Sequence, residues 1–229
     1  MRSAILVLGA GLIAIVTLPA GPAEEDTTVY IDLKGKANHK LKDPFHDAGN
    51  FKENNLAALK IGVQKLGGVK FRIGEAFLQL GSTMLPDLPE KFEGIAVNRK
   101  LAKLHVLHAT GWGSAAEGDK THVPDDTLIA KYVIHYEDKS NAEIEVIHGR
   151  DVRDWWYAEG DKGADRSKLA WTGENPDSKR ANKKLRLFMT TWENPNPRKK
   201  IVSIDYLATK KAETAAAPFC IAMTGDAAP

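Results

Sequence analysis

Ile129-Ala130-Lys131-Tyr132-Val133-Ile134-His135-Tyr136, then Glu137-Asp138-Lys139-Ser140, then, after Asn141, Ala142-Glu143-Ile144-Glu145-Val146-Ile147: this stretch decides the fold class. Successive side chains of a strand point to opposite faces. The first segment therefore sets Tyr132, Ile134 and Tyr136 on one face and Lys131, Val133 and His135 on the other. Four polar residues make the turn. The return segment sets Ile144 and Val146 against Glu143, Glu145 and Ile147. One apolar face and one charged face are what an antiparallel pair in a sandwich requires.

The same period of two runs outward from the hairpin through the body of the chain. Val29–Leu33 alternates, as does Val69–Ile73 behind Gly67-Gly68. Phe92–Val97 leads into the turn Asn98-Arg99-Lys100, and Leu101–Ala109 is apolar on both faces, which predicts a central strand covered from two sides. Leu185–Thr191, Ile201–Ala208 and Phe219–Thr224 close the chain, with Glu193-Asn194-Pro195-Asn196-Pro197 as a loop that cannot pair. About nine strands result, with Lys60–Leu66 a candidate for one more and a short helix expected around Phe51–Leu59. The expected architecture is all-β, a jelly-roll sandwich of two antiparallel sheets. Its 229 residues, 43% hydrophobic, suit a single domain, here 24–226 with 227–229 as a tail.

Ahead of this body, residues 1–23 carry one charge at Arg2, an apolar run from Ala4 to Pro19 and small residues at Ala20–Ala23. That order is the pattern of a signal peptide. An uncleaved N-terminal anchor is the competing reading, because the run is nearly long enough to span a bilayer. Both put the body outside the cytoplasm: secreted, periplasmic or at the cell surface, with membrane contact only through an uncleaved N-terminal segment.

Composition argues against several classes. Thirty-two Lys and Arg against 30 Asp and Glu leave a formal charge of +2, which gives nucleic acid little to attract it. A single cysteine, Cys220 in the apolar run Phe219–Met223, allows no intrachain disulfide and reads as a buried small hydrophobe. The motifs of serine hydrolases, zinc proteases, P-loop enzymes and dinucleotide binders are absent, so a non-catalytic role without a cofactor is expected. His105 and His108 point to opposite faces of one strand and cannot share a metal, and His108 is expected inside with Leu104 and Val106. His39 and His46 fit no metal spacing. Paired carboxylates for glycoside hydrolysis could be drawn from Asp151, Asp154, Glu159 and Asp161, but sequence sets no separation between them. Glu159, Asp161 and Asp165 are weak calcium candidates, because calcium takes oxygen ligands but this run lacks EF-hand spacing; a polar loop explains it as well.

The tryptophans point to a ligand. Trp112 lies within Gly111-Trp112-Gly113 beyond one strand, Trp155 and Trp156 follow the hairpin, and Trp192 opens the Glu-Asn-Pro loop. Strand ends of a sandwich gather at two rims, where sandwiches bind ligands. A pyranose stacks its C–H face on an indole and needs polar partners for its hydroxyls. Trp112, Trp155, Trp156 and Trp192 are thus candidate stacking residues, with Asp154, Glu193 and Asn194 as hydroxyl partners. The alternative is that the indoles plug the ends of the core and the domain serves as a structural or interaction partner of cell-envelope proteins.

Several segments, in order, resemble one family. They are Leu66-Gly67-Gly68-Val69-Lys70-Phe71; Leu104-His105-Val106-Leu107-His108-Ala109-Thr110-Gly111-Trp112-Gly113; Asp151-Val152-Arg153-Asp154-Trp155-Trp156; Thr191-Trp192-Glu193-Asn194-Pro195; Ser203-Ile204-Asp205-Tyr206; and Ala217-Pro218-Phe219. The chain resembles galactose-binding-like jelly-roll domains of secreted bacterial proteins, as appended to glycoside hydrolases. That resemblance implies a jelly-roll fold and a module that binds carbohydrate or glycan. It carries over no residue-by-residue sugar site.

Overall fold

In a computed structural model of the protein, residues 27–46, 49–114, 117–209 and 213–229 are described; the expected leader, 1–23, lies outside them. The strands are β1 (Thr28–Ile31), β2 (His39–Lys40), β3 (Gly62–Leu66), β4 (Val69–Ile73), β5 (Ala76–Gln79), β6 (Lys91–Arg99) and β7 (Leu101–Gly111). There follow β8 (Leu128–Tyr136), β9 (Asn141–Ile147), β10 (Trp156–Tyr157), β11 (Lys168–Gly173), β12 (Lys184–Glu193), β13 (Ile201–Ala208) and β14 (Ala217–Ala227). One five-residue helix, α1 (Pro176–Arg180), precedes β12.

The quoted hairpin is β8 and β9, with Tyr132 opposite Ile144 and Ala130 opposite Val146. It belongs to a sheet ordered β6-β13-β8-β9. The larger sheet runs β12-β7-β14-β5 through its centre, with β2 beside β5, β1 also on β14, and β10 and β11 on β12. Taken in chain order, the eight central strands pair first-eighth-third-sixth in one sheet and second-seventh-fourth-fifth in the other. All the pairings are antiparallel, and this is the jelly roll.

Between the sheets the core is aromatic as well as aliphatic. Tyr132 and Tyr206, opposite each other on β8 and β13, stack at 4.5 Å and 10°. His108 of β7 meets them: its Nδ1 lies 3.3 Å from the Tyr132 hydroxyl and its Nε2 2.8 Å from Thr190 Oγ1. His105 lies on the other face, bonded to Thr191 Oγ1 at 2.8 Å and next to Asp226. The two imidazoles are therefore separated by the strand itself, as period two demands. Cys220 is buried, and burial pushes its thiol up to about 12.

β7 is covered on its second face too. Met189, opposite Leu107, reaches the β3–β4 turn, where a side chain on Gly67 would stand 3.3 Å from Met189 Cε. Phe219, opposite Ala109, packs on Phe45 at 5.2 Å. A third layer, built from the β3–β4 hairpin and the segment before it, thus closes the outside of the larger sheet. Leu107 and Ala109 are buried beneath this layer, while Leu104 and Val106 are buried on the inner face with His108.

One expectation fails locally. Residues 51–59 form turns instead of a helix: Leu56 N–H donates to Leu41 C=O, and Asn55 Oδ1 accepts from Ala57 N–H. A run this short gains little from helix formation, so bonds to the rest of the protein prevail. The helix that does form has a capping box at Asn175 and Ser178 and Pro176 in its first turn. At the C-terminus β14 continues to Ala227, and Ala228 N–H donates to Lys100 C=O.

Burial holds His108 down to about 4, below the 6.5 of a free imidazole. Acid protonates the unfolded chain first, so this residue's contribution to stability is intact above pH 6.5 and lost as the pH falls toward 4. Denaturant unfolding at pH 7 and pH 5 is expected to show a smaller acid loss in His108→Gln than in the parent chain. Equal losses would refute the account.

Candidate functional site

The site starts where β7 ends. A Cβ on Gly111 would stand 2.3 Å from Phe45 Cε1, so only glycine lets that ring close over the strand. Trp112 then adopts a left-handed backbone (φ 57°), and Gly113 follows at φ 130°. A Cβ there would come within 2.7 Å of His148 Nε2. This turn lifts Trp112 off the sheet. Its ring stacks on His46 at 5.3 Å and meets the edge of Phe45 at 5.9 Å.

Asp154, Trp155 and Trp156 thread between the ends of β7 and β12. Trp155 N–H donates to Thr110 C=O at 2.9 Å, and Arg186 N–H donates to Trp155 C=O at 2.8 Å. Arg186 Nε donates to Asp154 C=O, and Arg153 holds Asp125 with both Nη groups at 2.8 and 2.9 Å. Alternation then sorts the two indoles. Trp155 turns inward, 2% exposed, against Phe45 and Phe219. Trp156 turns outward, and its Nε1–H donates to Asn54 Oδ1 at 3.0 Å. Phe51, half exposed, stands edge-on to Trp156 at 5.9 Å.

These groups enclose a hollow of about 150 Å³ with Phe45, Trp155 and Gly111 behind it, and His46, Phe51, Asn54, Trp112, Asp154 and Trp156 around it. A volume of about 150 Å³ holds one six-membered ring. The Phe45 backbone is fixed as well, since Gln79 Nε2 donates to its C=O at 3.0 Å.

Its polar chemistry comes from two residues. Burial raises the Asp154 carboxyl to about 7, against the opposing pull of the Trp156 N–H bond and the Arg186 charge. Near neutral pH this group is therefore partly a neutral acid, able to donate as well as accept. Asn54 Oδ1 accepts from both Trp156 and Asn175, whereas its Nδ2 has no partner among the described residues and remains a donor. Behind Gly113, His148 is buried with Nδ1–H donating to Pro124 C=O, and burial followed by the Arg153 charge lowers it to about 4.

Of the residues singled out from sequence, Trp112, Trp155, Trp156 and Asp154 meet here. Trp192, Glu193 and Asn194 do not. Trp192 lies opposite Leu104, seven residues before Gly111, roughly 23 Å away along the strand. Glu193 pairs with Lys103 at 2.8 Å. Asn194 is buried, donating to Leu101 C=O and accepting from Tyr136 Oη–H and Asn196 N–H, so its amide is committed to the fold. Asp161 Oδ2 accepts from Ala158 N–H, and Asp165 N–H donates to Gly149 C=O. Among the described residues no three His, Cys, Asp or Glu side chains are grouped to hold a metal. That includes the calcium candidates Glu159, Asp161 and Asp165.

Phe45, Phe51 and Asn54 were not legible as site residues. Their segment, with its Asn54-Asn55-Leu56-Ala57-Ala58 run, carries helix-like composition, and nothing local shows that it folds back on Trp112 and Trp156. What the assembled hollow offers is two held indoles, one carboxyl and one amide donor. Asp154 is the single carboxylate lining it among the described residues, whereas glycoside hydrolysis uses two. No protein-family model, curated protein or solved structure matches the chain.

Two outcomes test this geometry. Because Asp154 titrates higher folded than unfolded, its contribution to stability is present below about pH 4 and is lost as the pH rises through about 7. Asp154→Asn is expected to gain stability relative to the parent as unfolding is repeated from pH 5 to pH 8. A gain that shrinks with pH would contradict the raised carboxyl. Gly111→Ala is expected to cost about 1–3 kcal/mol through displacement of Phe45, measured by chemical denaturation; an unchanged midpoint would show that Phe45 yields freely.

Proposed function

We propose that this protein is a non-catalytic carbohydrate-binding module that works outside the cytoplasm and holds one sugar ring of a polysaccharide or glycan in the Trp112–Trp156 hollow. The observation that carries the reading is the convergence of two pre-positioned indoles with the Asp154 carboxyl and the Asn54 amide, whose Nδ2 has no partner among the described residues, on a space of one ring. The indoles supply faces for the C–H side of a pyranose, while the acid and amide match hydroxyls. Holding the aromatic groups in place before binding lowers the entropy cost of association. A hollow of one ring favours a terminal sugar over the middle of a long chain. The resemblance to galactose-binding-like jelly rolls supports the same class, and the charged leader pattern supports export.

A glycan array followed by titration calorimetry tests it. Specific binding is expected, with Trp112→Ala and Trp156→Ala each losing at least about tenfold in affinity, about 1.4 kcal/mol. Trp192→Ala, at the other end of the sandwich, is expected to bind as the parent does. Equal loss in all three variants, or no binding to any glycan by folded protein, overturns the proposal.

A further inference from the structure

A second and larger cavity, about 650 Å³, opens on the side of the molecule where β14 changes partners. β5 pairs with β14 at Phe219 and Cys220, and β1 pairs with it from Met223 to Asp226. Ile221 and Ala222 lie between the two and form the floor, together with Ile31, Leu33 and Ile73. All five are buried beneath the cavity and apolar. The volume falls within the roughly 300–1,000 Å³ of small-molecule sites.

The rim has a different character. Lys34, Lys40 and Arg72 stand on it, all exposed, together with Asp32 and Glu75. None of the three cations forms an ion pair among the described residues, and the Arg72 guanidinium lies over the Tyr30 ring at 4.5 Å. Asp32 Oδ1 is occupied by the Lys34 backbone N–H. The imbalance extends to the whole third layer: from Asp32 to Arg72 the sequence has nine Lys and Arg against four Asp and Glu, although the chain as a whole is nearly neutral. Ile61, at the cavity's lip, is half exposed, as is Val63 two residues further on.

An apolar floor below a cationic rim selects a molecule with both characters. We infer that this cavity is a binding site for an amphipathic anion, with an aliphatic chain lying on Ile31, Leu33, Ile73 and Ile221 and a carboxylate or phosphate head at Lys34, Lys40 and Arg72. Each methylene taken out of water strengthens binding, and the head gains charge-assisted hydrogen bonds that no neutral or cationic head can make. The site is separate from the Trp112–Trp156 hollow and does not depend on that hollow's function.

The test is titration calorimetry of the full chain with decanoate and decyl phosphate below their critical micelle concentrations, beside decanol, decylamine and inorganic phosphate. The two amphipathic anions are expected to bind at least tenfold tighter than decanol, with decylamine and phosphate weaker still. Lys34→Ala/Lys40→Ala, both at exposed positions, is expected to cut anion affinity at least tenfold and leave decanol unchanged. Ala76→Phe, which adds bulk at the wall, is expected to reduce binding of both anions and decanol. Binding of decanol equal to decanoate, anion binding unaffected by the double variant, or no binding to folded protein would each overturn the inference. Phosphate binding as tightly as decyl phosphate would do so too, because the chain would then contribute nothing.

Discussion

Phe45 lying against Gly111 is the contact on which the rest of the site depends. A sheet whose central strand is apolar on both faces cannot leave one of them in water, so a two-sheet sandwich is not sufficient for this chain. The second face of β7 and β14 is closed by a layer drawn from the N-terminal part of the body. Phe45 is where that layer meets the end of the sheet, and its ring touches Trp155, Phe219 and Trp112 at once. Absence of a side chain at Gly111 makes that approach possible, and the left-handed turn at Trp112 follows from the chain having to leave the strand around the ring.

The two cavities described above are consequences of this third layer. One lies at the end of the sheet, where the layer's Phe51 and Asn54 face the outward indoles. The other lies along its side, where the β3–β4 hairpin stands over the gap between β1 and β5. Their chemistry differs because their surroundings do. The first has aromatic walls and one carboxyl whose burial raises it to about 7. The second has an aliphatic floor and a rim of lysine and arginine. A jelly roll lacking the added layer would have neither.

The order of strands was largely legible because period two is a local property. Ile201–Ala208 and Val69–Ile73 are read to the residue, and β7 and the β8–β9 hairpin are found within a few residues of their ends. Short or irregular strands were not. Ala76–Gln79 is too brief a run to show its period, Trp156–Tyr157 is only two residues, and Lys168–Gly173 has a register shift between Leu169 and Trp171 that breaks alternation. The helix expected around Phe51–Leu59 failed for a related reason: composition there favours a helix, but tertiary hydrogen bonds to Leu41, Trp156 and Asn175 decide its path.

Sequence by itself determined that the chain is all-β, that β7 is covered twice, that His105 and His108 lie on opposite faces and that Trp112 stands just beyond the end of β7. Each of these follows from alternation along a strand, which needs no knowledge of partners. Tertiary structure alone decided which strand ends share a rim, uniting Trp112 with Asp154 and Trp156 and sending Trp192, Glu193 and Asn194 to the far end. It also decided that Trp155 faces the core, that Asn54 joins the site and that burial raises the Asp154 carboxyl. Those facts depend on which strands pair and on how water is excluded between distant segments, and neither is written in the spacing of residues along one chain.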